Sequence, residues 1–342
     1  MSSGSRKLPR DIMAENVMLS AAGRRVALMH LLEQSMADLN IHGGVLATDL
    51  HALSPAMQMA REIALVPPYR DPNCLDFLLN LCETYHIRLI VPTIDPELVF
   101  YAKHRTAFAN VGCQINVSDS SAIDLSFDKL KTHEWLATQD LPRVRQATLP
   151  QVLSGEAKLD LPVIIKPRRG SSSIGITIAK TFEQLQARAH ESDLLVQSIA
   201  TGREYTVDVF VDRDGNCRCA VPRRRIETRG GEVSKGVTVR NREVIDLAWQ
   251  VAQTLPGAYG VMNIQIFHDP TTNQLAVIEI NPRFGGGYPL SEEAGAPMTR
   301  WLLEDVLKYP TTSRADMWRE GLVMLRYDAA VFVDAKEAGV EL

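Results

Sequence analysis

Three polar residues at alternate positions mark a strand near the C-terminal third of the chain. In the apolar segment 275–283, Glu279, Asn281 and Arg283 lie two residues apart. Side chains two apart on a strand point to the same face, so these three groups converge. A carboxylate and an amide are hard oxygen ligands, and a guanidinium binds phosphate through paired hydrogen bonds. The pattern predicts a metal and phosphate site, with the polar outer face of an ordinary antiparallel pair as the alternative.

A preceding strand offers a further oxygen donor. In residues 260–267, Asn263 and Gln265 share a face by the same alternation. Residues 268–274 contain Asp-Pro and Thr-Asn pairs, which predict a hairpin turn. We therefore expect the two polar faces to lie side by side.

A lysine on another apolar strand precedes a glycine- and serine-rich loop. Residues 161–167 carry Lys166, and residues 168–175 read Arg-Arg-Gly-Ser-Ser-Ser-Ile-Gly. Backbone N–H groups and hydroxyls in such a loop bind anions, and the lysine neutralises charge. The Gly-Lys-Ser/Thr of a Walker loop is missing, and a mobile hairpin turn is the alternative interpretation.

Residues 222–236 are basic, contain glycine and have few apolar side chains. This composition predicts a flexible loop that closes on phosphates, and a solvated loop without function is the alternative. The segment includes Arg223 and Arg225.

Length and composition limit the class of protein. The chain has 342 residues, of which 45% are hydrophobic and 23% charged, so it can bury a large core in two or three units. A net charge of -4 argues against nucleic-acid and membrane-surface partners. Five scattered cysteines predict neither a disulfide framework nor a zinc site. With no signal peptide or membrane-spanning run expected, the predicted location is the cytoplasm.

Strand and helix patterns alternate over about the first hundred residues, which predicts a parallel Rossmann-like sheet. The first turn has a single glycine and no Gly-x-Gly-x-x-Gly, which argues against NAD. Polar residues fall where the strands end, and we predict that they hold a small polar substrate, with turn and cap roles as the alternative. These residues are Gly23, Arg24, Asp49, Thr93, Asp95 and Glu97. Farther along, Ser126 is the predicted N-cap of a helix that runs to Gln139.

Taken in order, these motifs resemble the ATP-grasp superfamily. Within this superfamily, the motifs are similar to those of the branch that contains the large subunit of carbamoyl-phosphate synthase and related carboxylate-amine ligases. The resemblance rests on Asp128-Lys129, Lys166 with residues 170–175, residues 196–199 with Glu204, Gln265, and Glu279 to Arg283. It implies an α/β fold in which an N-terminal Rossmann-like parallel sheet, the pre-ATP-grasp domain, precedes a two-lobed ATP-grasp fold with antiparallel sheets. The expected divisions are a leader (1–16), the Rossmann-like domain (17–122), a linker helix with the lid subdomain (123–193), and the C-terminal subdomain (194–342).

The resemblance also implies a role for each residue, with ATP and Mg²⁺ or Mn²⁺ as cofactors. Lys129 and Lys166 would grip the nucleotide phosphates. The lid loop would consist of Gly170, Ser171, Ser172, Ser173 and Gly175. The adenine edge would face Gln197, Ser198 and Ile199, and the ribose would face Glu204. The metal ligands would be Gln265, Glu279 and Asn281, with Arg283 on the terminal phosphate. Gln265 stands where many relatives carry a carboxylate, which casts doubt on tight binding of two ions.

The implied reaction converts a carboxylic acid to an acyl phosphate that an amine then attacks. Arg223 or Arg225 would stabilise the oxyanion that develops in this reaction. The substrates are expected to be small, amino-acid-like carboxylates and amines. The glycine-rich segment after Arg283, with Gly286 and Gly287, is predicted to form a wall of the acceptor pocket opposite Asp95 and Glu97; a helix lead-in is the alternative. Two rival functions are an ATP-grasp small-molecule kinase and a non-catalytic nucleotide-binding regulator. A homodimer is the usual assembly for such folds.

Overall fold

The computed structural model describes residues 15–170, 174–336 and 340. Within them the chain forms one parallel and two antiparallel sheets. This architecture confirms the fold class predicted from the sequence. Ser171, Ser172 and Ser173, and most of the predicted leader, lie outside the described residues.

The N-terminal sheet is parallel and has the strand order β3-β2-β1-β4-β5. Its strands are β1 (Asn16–Ser20), β2 (Val45–Asp49), β3 (Glu62–Leu65), β4 (Ile87–Pro92) and β5 (Gln114–Ile115). Its helices are α1 (Val26–Asp38), α2 (Pro55–Met59), α3 (Cys74–Thr84) and α4 (Asp95–Asn110). Val17, Met18 and Leu19 are all buried, as expected for a central parallel strand covered on both faces.

Two short helices follow, α5 (Ser120–Phe127) and α6 (Lys129–Thr138). The predicted N-cap, Ser126, is wrong, because it lies inside α5 and Asp128 caps α6 instead. Asp128 has an extended backbone that separates the helices, and it accepts hydrogen bonds from the N–H groups of Leu130 at 3.1 Å and Lys131 at 3.4 Å. It also accepts Arg168 Nε at 2.7 Å. The same carboxylate therefore starts α6 and holds the strand end beyond Lys166.

The smaller antiparallel sheet has the order β6-β9-β7-β8. Its strands are β6 (Gln146–Thr148), β7 (Val163–Pro167), β8 (Thr177–Ala179) and β9 (Leu194–Ser198), with the helices α7 (Leu149–Leu153) and α8 (Phe182–Gln186). Because β9 pairs with β6 and β7, the boundary predicted after residue 193 passes through this sheet. The division of the chain into domains stays a prediction.

The larger antiparallel sheet has the order β14-β13-β10-β11-β12-β15. Its strands are β10 (Arg203–Val211), β11 (Cys217–Arg229), β12 (Glu232–Thr238), β13 (Gly260–Asp269), β14 (Gln274–Asn281) and β15 (Val323–Leu325). The helices are α9 (Arg242–Thr254), α10 (Pro289–Glu293) and α11 (Met298–Val306). The predicted loop at residues 222–236 is wrong: β11 and β12 form a hairpin there. Charged side chains interrupt the apolar alternation because one face of this hairpin lines a polar cavity.

One hydrophobic core joins the N-terminal sheet to the larger sheet. Met29 of α1, Phe210 of β10 and Trp301 of α11 belong to the same buried cluster. Ser35 and Thr299 share a buried hydrogen bond of 2.8 Å between α1 and α11. This shared core fixes the ends of the parallel strands relative to the larger sheet.

No helix in the described part of the chain has the length and apolar character to cross a membrane. All five cysteines are buried and free.

We expect Asp128→Ala to lower the free energy of unfolding by about 1–3 kcal/mol, because a helix cap and a charge-assisted hydrogen bond are lost. Asp124→Ala is the matched control, since Asp124 pairs with Lys131 in the exposed part of the same region. The control should change the free energy of unfolding by less than about 0.5 kcal/mol. Urea denaturation measures both values, and equal losses would contradict the role of Asp128.

The loss in free energy of unfolding that Asp128→Ala causes should also depend on pH. Burial alone would raise the pKa of Asp128, but the Arg168 hydrogen bond and the capping N–H groups outweigh it and lower the pKa. A lowered folded-state pKa stabilises the protein above the unfolded value of about 3.9, and this contribution is lost as pH falls through the folded value. The difference between wild type and variant should therefore shrink below about pH 4. A difference that stays constant in acid would exclude this linkage.

Candidate active site

A cavity of about 550 Å³ lies where the smaller sheet, the larger sheet and the start of α1 meet. It brings together many of the residues predicted from the sequence. These are Lys129, Lys166, Gly170, Glu204, Arg223, Arg225, Gln265, Glu279, Asn281, Arg283, Gly286 and Gly287. Residues from distant segments thus share one concave site, the usual form of a small-molecule pocket.

Oxygen donors on β13 and β14 face this cavity in two cross-strand pairs. Gln265 lies opposite Glu279, and Asn263 lies opposite Asn281. Asn281 Nδ2 donates to Asn263 Oδ1 at 3.3 Å, so the Asn281 amide oxygen is directed away from this bond. Asn263 Nδ2 donates to the Arg283 carbonyl at 3.0 Å and fixes the turn that follows β14. The hairpin predicted between these strands is present.

The described residues contain no cluster of three or more His, Cys, Asp or Glu side chains that could hold a metal ion. The predicted metal face therefore has one carboxylate, Glu279, beside neutral amides. Lys129 Nζ lies 3.8 Å from Glu279 Oε1 and partly neutralises it. Such a donor set suits an ion that takes its other ligands from a bound anion.

Two lysines approach the same end of the cavity. Lys166, on β7, is 5% exposed and donates to Gln197 Oε1. Burial, and then the charge of Lys129, lower the pKa of Lys166 to about 8, against the opposing effect of Glu279. Lys129 Nζ donates to the Gly170 carbonyl at 2.5 Å. The two ammonium groups are thus held close together, and a bound anion would relieve their mutual repulsion.

The glycine loop after β7 is described only at its ends. Gly170 and Gly175 have φ of +117° and +76°, which disfavour other residues. A Cβ on Gly175 would lie 3.0 Å from Pro167 Cγ. These conformations suit a tight loop next to the lysines, and the lid role stays a prediction.

The segment predicted to face adenine lies at the end of β9. Gln197 is buried and engages Lys166, and Ile199 is 40% exposed. The Ser198 N–H donates to the Arg145 carbonyl at 2.9 Å, so this N–H is already used. None of the three residues lines the cavity, and their adenine role stays a prediction. Glu204 does line it, but it forms an ion pair with Arg225.

Arg223 is a buried, fixed side chain rather than part of a flexible loop. Its Nε and Nη2 donate to Asp208 at 2.6 and 2.9 Å, and Ser291 Oγ donates to the same carboxylate at 2.6 Å. A Cβ on Gly285 would lie 3.3 Å from Nη2, and one on Gly287 would overlap Nη1. The glycine run after β14 therefore leaves space for this guanidinium at the cavity wall.

Arg283 forms a two-pronged ion pair with Asp95 at the start of α4. The Nε–Oδ1 and Nη2–Oδ2 distances are 2.6 and 2.9 Å. Both Asp95 oxygens are thus engaged, and in this structure Asp95 orients Arg283 instead of presenting a free carboxylate to a substrate. The ion pair connects the parallel sheet to the end of β14.

The remaining predicted crevice residues do not reach the cavity. Gly23 N–H donates to Asp49 at 3.0 Å, and Arg24 is exposed. Glu97 accepts from Ser20 Oγ at 3.0 Å, and burial raises the pKa of Glu97 to about 7. The predicted placement of Glu97 opposite the glycine wall has no counterpart in the cavity lining.

Three charged residues of the cavity were not predicted from the sequence as site residues: Arg25, Arg169 and Glu232. Arg169 directly precedes Gly170 of the predicted lid loop. Arg25 directly follows the predicted site residue Arg24, and its position at the first residue before α1 was the available signal. Glu232 lies in the segment interpreted as a loop. Alternation of side chains along a strand across residues 222–238 would have placed Glu232 on one face of that strand.

We expect the pKa of Lys166 to respond in opposite directions to two neighbouring substitutions. Lys129→Met should raise it toward the usual 10.5, because a like charge is removed, and Glu279→Gln should lower it below about 8, because the stabilising carboxylate is lost. NMR titration of ¹³Cε-labelled lysine measures both shifts, with Lys166→Arg to assign the signal. An unchanged pKa in Lys129→Met would contradict the proximity of the two lysines.

Two family profiles match the chain. One is described as PylC-like, N-terminal domain, and covers residues 17–116. The other is described as ATP-grasp domain and covers residues 126–287. The second match spans the lysines, the smaller sheet and the polar face of β13 and β14.

Similar proteins agree with these matches. The D-alanine–D-alanine ligase of Corynebacterium aurimucosum is 36% identical over 121 residues, which are 32% of this chain and 33% of that protein. The carbamoyl phosphate synthase large chain of Thermotoga petrophila is 23% identical over 277 residues, 71% of this chain and 25% of that protein. The chain thus spans between a quarter and a third of the length of these relatives.

A solved structure supports the fold. The biotin carboxylase domain of Hydrogenobacter thermophilus 2-oxoglutarate carboxylase aligns with a TM-score of 0.71 at 16% identity, over 90% of this chain and 73% of that one. Together with the three sheets and both profile matches, this likeness confirms the resemblance found in the sequence motifs. Residues 126–287 thus match an ATP-grasp domain, and a PylC-like domain precedes it at residues 17–116.

Proposed function

We propose that the protein is an ATP-dependent ligase that joins a carboxylic acid to an amine through an acyl phosphate, with release of ADP and phosphate. One observation carries the proposal: two lysines, an oxygen-donor face and two fixed arginines line the same cavity. Phosphoryl transfer asks a protein mainly for positioning and charge neutralisation. The match to an ATP-grasp domain supports the same class of reaction. The similarity to a D-alanine–D-alanine ligase and to a carbamoyl phosphate synthase large chain supports it as well.

ATP with Mg²⁺, or Mn²⁺, fits the donors that face the cavity. Glu279, Gln265 and the Asn281 amide oxygen would hold the metal, and the nucleotide phosphates would complete its shell. When bound, the ion neutralises charge on the phosphates and orients them. The H. thermophilus domain was crystallised with MgADP, which supports this choice.

The two lysines would bind the nucleotide phosphates from the side of the smaller sheet. Lys166 has a lowered pKa, so phosphate binding should favour its charged form. Lys129 connects the phosphate site to Gly170, the first residue of the proposed lid loop. Closure of that loop over the phosphates would exclude water, to which an acyl phosphate is sensitive.

The arginines would act on the acid during acyl transfer. Asp95 fixes Arg283, and Asp208 fixes Arg223, so neither guanidinium needs to reorganise as negative charge develops. Arg225 stands beside Glu204, where ribose binding is proposed. Removal of one oxyanion donor typically costs about 10²- to 10³-fold in rate, which is the effect expected for Arg223 or Arg283.

Amino-acid-like acids and amines are the proposed substrates, and the likeness to a D-alanine–D-alanine ligase supports this class. A homodimer is the proposed assembly. The biotin carboxylase domain cited above was crystallised as a dimer.

An isotope experiment distinguishes the ligase from its rivals. Amino-acid pairs are first screened with MgATP for condensed products by mass spectrometry. For an active pair, the acid is labelled with ¹⁸O, and one label should appear in inorganic phosphate, because the carboxylate oxygen that bonds to phosphorus leaves with it when the amine attacks. A small-molecule kinase would release ADP with an alcohol and no amine, and a regulator would release no ADP. Either result would exclude the ligase.

We expect Glu279→Gln to lower the rate of ADP release at least about 100-fold, because the one charged metal ligand is lost. Glu243→Gln, on the exposed side of α9, is the matched control and should keep the wild-type rate. A coupled assay of ADP release measures both variants across Mg²⁺ concentrations. Wild-type turnover in Glu279→Gln would refute the assignment of this face.

A further inference from the structure

Two opposite charges flank Gly286 in the lining of the cavity. A Cβ on Gly286 would lie 2.8 Å from Arg25 Nη1 and 3.3 Å from Glu232 Oε2. Arg25 comes from the start of α1, and Glu232 is the first residue of β12. The glycine therefore lets charged groups from a helix start and a strand approach one point of the cavity wall.

The guanidinium of Arg25 has no acceptor among the residues that the structure describes. In residues 15–170, 174–336 and 340, its side chain forms no hydrogen bond and no ion pair within 4.0 Å. Burial lowers the pKa of Arg25 and nearby arginines add to this, whereas Glu232 raises it. An arginine remains charged in any protein environment, so its donors are available to an anion in the cavity. A planar carboxylate can accept two parallel hydrogen bonds from them.

Glu232 retains capacity for a further donor. Its Oε2 accepts Arg326 Nη1 at 2.9 Å, from the residue after β15. Burial alone would raise the pKa of Glu232, but the Arg326 hydrogen bond and the charge of Arg25 outweigh it and lower the pKa. The group is thus a carboxylate at neutral pH, and its second oxygen is not hydrogen-bonded within the described part of the chain.

The two charges are near each other but are not joined. Arg25 Nη1 and Glu232 Oε2 both lie within 3.3 Å of the position that a Cβ on Gly286 would occupy. The nitrogens of Arg25 are nevertheless more than 4.0 Å from the oxygens of Glu232, which is too far for an ion pair. Both side chains line the cavity, so a ligand with the complementary charges can pair with each of them. The head group of an α-amino acid carries them, a carboxylate and an ammonium, on one carbon.

We propose that Arg25, Gly286 and Glu232 form the subsite for the acceptor amino acid. Arg25 binds its α-carboxylate, Glu232 accepts a hydrogen bond from its ammonium, and Gly286 lets the two side chains approach the same stretch of the cavity wall. Arg326 holds Glu232 in place and is a positioning residue. The use of this subsite in catalysis rests on the proposed ligase function, whereas binding of the amino acid does not require turnover.

Calorimetric titration of the full chain tests the subsite. Glycine, D-alanine and the twenty standard amino acids are titrated with and without MgADP, and the tightest binder is compared with its carboxamide and its N-acetyl derivative. We expect the carboxamide and the N-acetyl form each to bind about 10- to 100-fold more weakly, because each lacks one charge. If no amino acid binds, or if all three forms bind equally, the proposal is overturned.

Substitutions assign the two contacts. Arg25→Met should weaken the amino acid about 10- to 100-fold but hardly change the affinity for its carboxamide, and Glu232→Gln should weaken the amino acid but not the N-acetyl form. The controls are Arg242→Met and Glu243→Gln, exposed residues of α9, which should bind like wild type. Equal losses for every ligand form would reveal a merely structural role and overturn the proposal. Retained amino-acid binding without ADP release in any substrate screen would refute the ligase and leave the subsite standing.

Discussion

The concentration of positive charge in one cavity is the constraint on which the structure depends. Seven cationic side chains line it, and their mutual repulsion must be offset before the protein can fold around them. They are Arg25, Lys129, Lys166, Arg169, Arg223, Arg225 and Arg283. Most have a carboxylate within 4.0 Å, namely Glu279 for Lys129, Asp128 for Arg169, Asp208 for Arg223, Glu204 for Arg225 and Asp95 for Arg283. In the described residues, Lys166 and Arg25 lack such a partner.

The carboxylates come from different parts of the fold, so charge neutralisation also connects the sheets. Asp95 at the start of α4 holds an arginine that follows β14, and Asp128 at the start of α6 holds the end of β7. Removal of one member of a buried pair usually costs several kcal/mol, because the other charge is left without compensation. The geometry of the site and the arrangement of the sheets are therefore stabilised by the same contacts.

Two cations of the cavity thus depend on bound ligands for an opposite charge. Lys166 responds to its surroundings with a pKa of about 8, while Arg25 must keep its charge. The proposed reaction supplies anionic groups for both, nucleotide phosphates for Lys166 and an amino-acid carboxylate for Arg25.

Local sequence pattern correctly predicted the features that depend on neighbouring residues in the chain. It failed where contacts with distant residues decide the local structure. Alternation gave the β13–β14 hairpin and its polar face, because a strand has a period of two regardless of its partners. The interpretation of residues 222–236 as a loop was wrong, because Arg223 can be buried in a strand only where Asp208, on β10, accepts its hydrogen bonds. Ser126 was misplaced as a cap because the break between α5 and α6 depends on Asp128 and its contact with Arg168.

By itself, then, the sequence determined the alternating strands and helices of the N-terminal sheet and the residues on the polar face of β13 and β14, since these follow from periodicity and residue type within short segments. The antiparallel sheets that follow were expected from the resemblance of the ordered motifs to a known superfamily. Tertiary structure alone decided which carboxylate serves which cation. It turned Asp95 from an expected substrate contact into the partner of Arg283, and it brought Arg25 and Glu232 to one glycine. The physical reason is that ion pairing acts through space, between residues whose separation along the chain carries no signal of their contact.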